Sequence, residues 1–234
     1  MKRFYTEYTI VSSDIGFSIA LDKKLVLTPC GNILIIQCIE LAEIIAKELM
    51  IKGEIIYHES MPFFRLASTV FDCVIPNQTT IIQQLLNYAE TDLICYRART
   101  PKNLAERQKQ LWQPIVDWLM KILEIDIQIT CGVIPIVQSN RTIAILHDAI
   151  WRYDFIRLTV LQNIVLATGS LFLGLALIEE YITSEDVFIA SQLDEIYQTK
   201  LYGEDVEAAR SRDVLNKDIQ IATLFLKLSC SKII

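Results

Sequence analysis

The sequence predicts an α+β fold, with a small N-terminal antiparallel sheet and helices followed by a C-terminal α-helical bundle. Two observations predict it. Up to about residue 36, apolar residues sit in short β-branched and aromatic runs separated by turn residues; from Cys38 onward the apolar period is that of a helix. Strands therefore come first and helices after, without the βαβ alternation of a parallel sheet. The expected division is an N-terminal α/β region over 1–98 and a helical bundle over 99–234, with one strand near 125–131.

Phe4–Val11 is rich in Tyr, Thr and Ile, and Gly16–Leu21 alternates Phe17, Ile19 and Leu21 against Ser18 and Ala20. Asp22-Lys23-Lys24 predicts a hairpin turn into Leu25–Thr28, and Pro29-Cys30-Gly31-Asn32 a second turn before Ile33–Ile36. Cys38, Leu41, Ala42, Ile45 and Leu49 then share one helical face, with Gly53 as the C-terminal stop. Pro62 opens a short helix that is expected to end before Pro76, and Asn77 or Thr79 caps the next one to about Tyr88.

Thr100-Pro101 predicts a cap followed by Pro at the first helical position. The helix it opens carries Leu104, Leu111, Ile115, Leu119 and Ile122 on one stripe, and Pro114 inside it predicts a kink or break. Ile125–Cys131 reads as a lone strand, and helices follow over about 141–152, 155–178, 184–201 and 204–229. Leu158–Ile178 is 21 residues without a charge, long enough to span a bilayer. Its Gln, Asn, Thr and Gly content, without aromatic belt or basic flank, makes it a buried helix at the centre of a bundle instead.

Of the 234 residues 52% are hydrophobic and the mean hydropathy is +0.34, enough apolar matter for a core and for apolar surface that meets a partner. The net charge of −6 argues against nucleic acid, which requires clustered Lys and Arg. Between Glu179 and Asp213 there are ten acidic and three basic residues, so this segment alone carries −7. Six cysteines without metal or framework spacing read as reduced thiols. The Met-Lys-Arg-Phe-Tyr opening holds neither a secretory h-region nor an amphipathic leader. The expected location is a bacterial cytoplasm, or the mitochondrial matrix where a presequence has been removed.

Motifs of catalysis are missing from the sequence. Gly169-Ser-Leu-Phe-Leu-Gly174 has the spacing of a phosphate loop, but Leu175-Ala176 stands where Lys-Ser/Thr is required, inside an apolar helix. Those glycines read as helix-packing positions, and no nucleotide is expected. Ser170 lacks the second Gly of a nucleophile elbow, and His58-Glu59 has no second His for a metal. No cofactor, metal or catalytic residue is assigned.

Several strings carry a family resemblance. They are Lys2-Arg3-Phe4-Tyr5; Leu21-Asp22 with Leu27-Thr28-Pro29-Cys30-Gly31-Asn32; Met61-Pro62-Phe63-Phe64-Arg65-Leu66-Ala67-Ser68-Thr69 with Asp72; and Tyr88-Ala89-Glu90-Thr91-Asp92-Leu93-Ile94-Cys95-Tyr96-Arg97-Ala98. Trp112-Gln113-Pro114 with Asp117-Trp118, Gly169-Ser170, Leu193-Asp194-Glu195 with Gln198, and Tyr202-Gly203-Glu204-Asp205-Val206-Glu207-Ala208 follow. In this order, over roughly residues 2 to 229, they resemble the assembly chaperones of the alpha subunit of the F-type ATP synthase catalytic head.

The resemblance implies a two-part fold, no hydrolysis and no cofactor. Its client would be unassembled alpha subunit, shielded until beta replaces the chaperone. It also implies a functional acidic residue just after Gly203, either Asp205 or Glu207 here; Tyr202 departs from the Trp that the family more often has. The candidate partner-binding residues are Asp194, Glu195, Glu204, Asp205 and Glu207. For the last three, acid at a helix start is equally accounted for by the helix dipole.

For the other strings structural roles are expected: Glu90 and Asp92 bonding nearby backbone amides, Arg65, Thr69 and Asp72 forming a buried network, and Trp112 and Trp118 in the core. A different class of function is a small-molecule enzyme with a site between sheet and bundle, drawing on Glu90, Asp92, Arg65 and His58.

Overall fold

The computed structural model describes residues 5–50, 60–132, 134–203 and 205–230. They form the α+β arrangement, strands first and helices after, in two compact units. One comprises Met1–Gln78 with Ile221–Ile234, the other Thr79–Gln220.

In the first unit β1 (Tyr8–Ser13), β2 (Gly16–Leu21) and β3 (Lys24–Leu25) form an antiparallel sheet in that order, with Tyr8 opposite Leu21 and Ala20 opposite Leu25. Asp22 and Lys23 both take left-handed backbone angles (φ 45° and 69°), which a tight hairpin between twisted strands needs. Asp22 tolerates this because its carboxylate accepts the backbone N–H groups of Thr6 and Glu7, each at 3.0 Å. Beyond Leu25 the pairing thins to the single bridges Leu27–Ile33 and Phe17–Ile36. The expected third and fourth strands are thus two residues and isolated bridges.

Helix α1 (Ile39–Leu49) buries Leu41, Ala42, Ile45 and Leu49, the face its sequence predicts. The expected stop at Gly53 lies outside the described residues. Glu48, off that face, accepts the N–H groups of Phe63 (3.1 Å) and Phe64 (2.9 Å) and so caps α2 (Pro62–Thr69), whose own cap residue Met61 has no side-chain bond to give. Burial pushes the Glu48 carboxyl up, partly offset by those two amides and the charge of Arg65.

The chain does not leave the helix before Pro76. It passes through one π-helical turn, Val70–Val74, into α3 (Ile75–Thr91), with a single non-helical residue at Asn77. Pro76 has no N–H to donate, and its ring would crowd the carbonyl four residues back. A widened turn makes the room. Asn77 turns its side-chain amide back to the Cys73 carbonyl at 2.9 Å rather than starting a new helix.

In the second unit α4 (Lys102–Leu123) begins after a cis Thr100–Pro101 bond, with Pro101 and not Thr100 at the cap position and no side-chain cap. It runs unbroken through Pro114. Pro114 and Gln110, whose carbonyl loses its donor, are both solvent-exposed, while buried Trp112, Ile115, Val116 and Leu119 hold the helix on either side. The buried stripe includes Gln108 and Trp112 and leaves Ile122 exposed, so it is rotated from the expected one. Of the strand expected over 125–131 only β5 (Thr130–Cys131) forms. It pairs in parallel with β4 (Tyr96–Arg97), in the segment read as a connector.

Helices α5 (Asn140–Trp151) and α6 (Phe155–Thr168) are capped by Ser139 and Asp154. The long apolar stretch is two helices, not the single one expected. Gly169 (φ 71°) ends α6, and Ser170 caps α7 (Leu171–Ile178), every residue of which is buried. Among the described residues no helix is long and apolar enough to cross a membrane. α7 turns back onto α6, so that a Cβ added at Gly174 would lie 2.7 Å from Leu161 Cδ1 and 3.2 Å from Val165 Cγ2. Gly174 is therefore a packing position; Gly169 is a helix terminator instead. Gly174→Ala is expected to lower the unfolding free energy by about 1–3 kcal/mol, the usual cost of overpacking. Urea denaturation at constant m-value measures it, and an unchanged midpoint would contradict this packing account.

After α7 come α8 (Ser184–Ser191), started by a Thr183/Asp186 capping box, α9 (Leu193–Tyr202) and α10 (Val206–Cys230). The helix expected over 184–201 is interrupted at Gln192.

Candidate functional site

Of the five candidate residues the structure describes four, Asp194 and Glu195 at the start of α9 and Asp205 and Glu207 beyond its end, roughly 15 Å apart along ten residues of helix. At its start, Asp194 is half-buried and accepts a hydrogen bond from Gln108 Nε2 at 2.7 Å. Gln108 is itself buried, and its Oε1 accepts the Ala98 N–H at 2.7 Å. Asp194 thus ties α9 to α4 and to the chain leaving β4. Glu195 beside it is exposed.

At the far end, Asp205 accepts the Ala208 N–H at 3.0 Å and caps α10, and Glu207 is exposed in the first turn. Glu204 lies outside the described residues. Between these acids the chain shows apolar side chains to solvent: Tyr202 is 85% exposed, Leu201 57% and Val206 64%. The α9–α10 junction is an acidic knuckle with an apolar tip. The sequence reading named its acids and missed its apolar part. The available signal was Leu201 and Val206 flanking Tyr202-Gly203 where no helical face could bury them.

The remaining strings resolve into structural networks. Asp92 is completely buried; its carboxylate accepts Ser170 Oγ (2.7 Å), the Phe172 N–H (3.0 Å) and the Ile94 N–H (3.1 Å). Two strings 78 residues apart therefore form one cap, which starts both α7 and the short 3-10 turn Leu93–Cys95. Burial pushes the Asp92 carboxyl up to about 6 against the pull of those donors. Next to it, Arg97 is buried with its Nε donating to the Ile94 carbonyl (2.7 Å) and its guanidinium 5.5 Å from the Trp112 ring; Trp112 Nε1 donates to the Ala190 carbonyl at 3.0 Å. Trp118 is half-buried and stacks on Tyr181, with ring centroids 4.3 Å apart.

In the first unit the expected Arg65–Thr69–Asp72 network takes another form. Thr69 bonds the Arg65 carbonyl in its own helix, whereas Asp72 pins the Thr28–Asn32 turn through Thr28 Oγ1, Asn32 Nδ2 (2.8 Å) and the Cys30 N–H (3.0 Å). Desolvation would raise the Asp72 carboxyl, but these donors together outweigh it and hold it below its ordinary value.

Of the residues named for an enzyme, His58 lies outside the described residues, Arg65 belongs to the first unit, and Glu90 and Asp92 to the second. Asp92 is closed to solvent and committed to its cap. His147 Nδ1 lies 3.2 Å from Asp148 and its ring stacks on Trp151. Among the described residues no group of three or more His, Cys, Asp and Glu could hold a metal ion, and Cys30, Cys38, Cys73, Cys95 and Cys131 are free thiols.

Comparison with known proteins gives the class of this protein: it is a chaperone. Residues 2–120 match the family model described as ATP12 chaperone protein. The whole fold is similar to the crystal structure of Atp12 from Paracoccus denitrificans, with a TM-score of 0.89 and 31% identity over 97% of this chain and 98% of that one. A mutant of the P. denitrificans protein matches at 0.89 and 30% identity, covering 97% of each chain. The crystal structure of the Atu1473 protein from Agrobacterium tumefaciens matches at 0.89 and 31% identity, over 97% of this chain and 85% of that one. The chain belongs to the ATP12 chaperone family.

Proposed function

We propose that this chaperone assists assembly of the F-type ATP synthase catalytic head, holding unassembled alpha subunit until beta takes its place, without catalysis or cofactor. The observation that carries the reading is the family match, extended by 31% identity to Atp12 across 97% of the chain. The α9–α10 knuckle supports it. Exposed Leu201, Tyr202 and Val206 offer apolar area to a client, and Asp205 and Glu207 beside them, with Glu204 in the same segment and Glu195 at the other end of α9, supply charge that steers encounter. Covering an apolar client face is favourable by roughly 25 cal/mol per Å² before association costs are subtracted. Beta displaces the chaperone when it covers the same face with a larger, permanent interface.

Light scattering of refolding alpha subunit tests this directly. With the chaperone in modest excess, aggregation is expected to fall several-fold, a complex to co-elute on a sizing column, and added beta to release the chaperone. Unchanged scattering together with no co-elution would reject the assignment of the client.

A further inference from the structure

We propose that the first unit contains a binding pocket for a tyrosine side chain of a partner polypeptide. A cavity of about 240 Å³ opens there, lined by Pro29, Met61, Phe64, Ser68, Thr69 and Cys73 among others. An apolar cavity of roughly 150 Å³ already accepts benzene, whereas small-molecule sites run from about 300 Å³ upward. The space therefore suits one ring-sized side chain and is small for a nucleotide or a cofactor.

The chemistry of the wall narrows the occupant. Its surface is mostly apolar, with Arg65 and the thiols of Cys30 and Cys73 also on the wall; Asp72 is engaged by Thr28, Asn32 and Cys30, and the Thr69 hydroxyl by the Arg65 carbonyl. Ser68 differs. It is 5% exposed and its hydroxyl has no hydrogen-bond partner among the described residues, although its helical neighbour Thr69 pairs with the carbonyl four residues back. A buried hydroxyl left unpaired is costly. Rotation about its Cα–Cβ bond can turn it toward an oxygen seated in the cavity. A phenol meets both demands, its ring filling apolar space and its oxygen pairing with Ser68. That the phenol is borne by a polypeptide rests on the chaperone reading of the chain.

The test uses the full chain and two probes, N-acetyltyrosinamide and N-acetylphenylalaninamide, titrated with detection by NMR. The tyrosine probe is expected to bind saturably and about fivefold more tightly than the phenylalanine probe, the effect of one neutral hydrogen bond. Ser68→Ala should erase that preference while leaving the phenylalanine probe unaffected. Cys73→Trp, at an exposed position on the cavity wall, should block both probes. The pocket assignment fails if the tyrosine probe does not saturate, if wild type binds both probes equally, or if Cys73→Trp binds as wild type does. Tyrosine-probe binding without alpha-subunit capture would count against the proposed client alone; the reverse would count against this pocket alone.

Discussion

Asp92→Ala is expected to destabilise the protein by about 3 kcal/mol or more at pH 7, among the largest effects a single polar deletion gives. The Ser170 hydroxyl and the Phe172 and Ile94 N–H groups all lose their acceptor where water does not reach, and the start of the wholly buried α7 loses its tertiary anchor. The substitution should also change how stability depends on pH. The folded Asp92 carboxyl titrates near 6 against an ordinary 3.8, so the folded state holds the proton more tightly. Its contribution is therefore fully present below about pH 4 and is lost as pH rises through about 6. The gap between parent and Asp92→Ala should be wider at pH 4 than at pH 7. Urea unfolding at both pH values measures it. A variant within 1 kcal/mol of the parent at pH 7 would show that Asp92 does not carry the cap described here.

Converting Glu204, Asp205 and Glu207 together to Lys is expected to weaken alpha-subunit binding tenfold or more while leaving the protein folded. Asp205 caps α10, so stability should fall by about 1 kcal/mol for the lost cap. Exposed charge acts mainly on encounter, so the binding defect should shrink as salt rises. Glu185→Lys, Glu106→Lys and Asp148→Lys combined, three exposed acids elsewhere in the chain, are the control for net charge. Titration of labelled alpha subunit at two ionic strengths reads the effect, with circular dichroism as the check on folding. A triple variant that binds as the parent does would make the knuckle idle, and one that unfolds would make its acids structural.

The networks around these residues show which kinds of contact a sequence reveals. Ser139, Asp154 and Thr183 cap helices three residues from their partners, and local chemistry of that kind can be read from residue type and spacing. The caps supplied by Asp92 and Glu48 cannot be read in that way. Asp92 reaches across 78 residues to Ser170, and Glu48 across 15 to Phe63; nothing at either end marks the other. Asp194 shows the same limit at the candidate site. As a sequence it is one acid of a run, whereas in the fold its carboxylate is held by Gln108 and Glu195 beside it is left to solvent.

By itself the sequence determined the order of strands and helices, the hairpin turn at Asp22-Lys23 and the buried face of α1, and it carries no complete phosphate-loop motif. All of these depend on periodicity or on residues a few positions apart. Only the tertiary structure decided that the apolar stretch breaks at Gly169-Ser170, that the helix survives Pro76 through a π turn, and that α4 passes Pro114 intact. Those outcomes turn on whether a freed carbonyl meets solvent or a distant donor, and on whether a buried acid stands ready to cap a new helix. A sequence lists the groups that must be satisfied; packing chooses which distant group satisfies them.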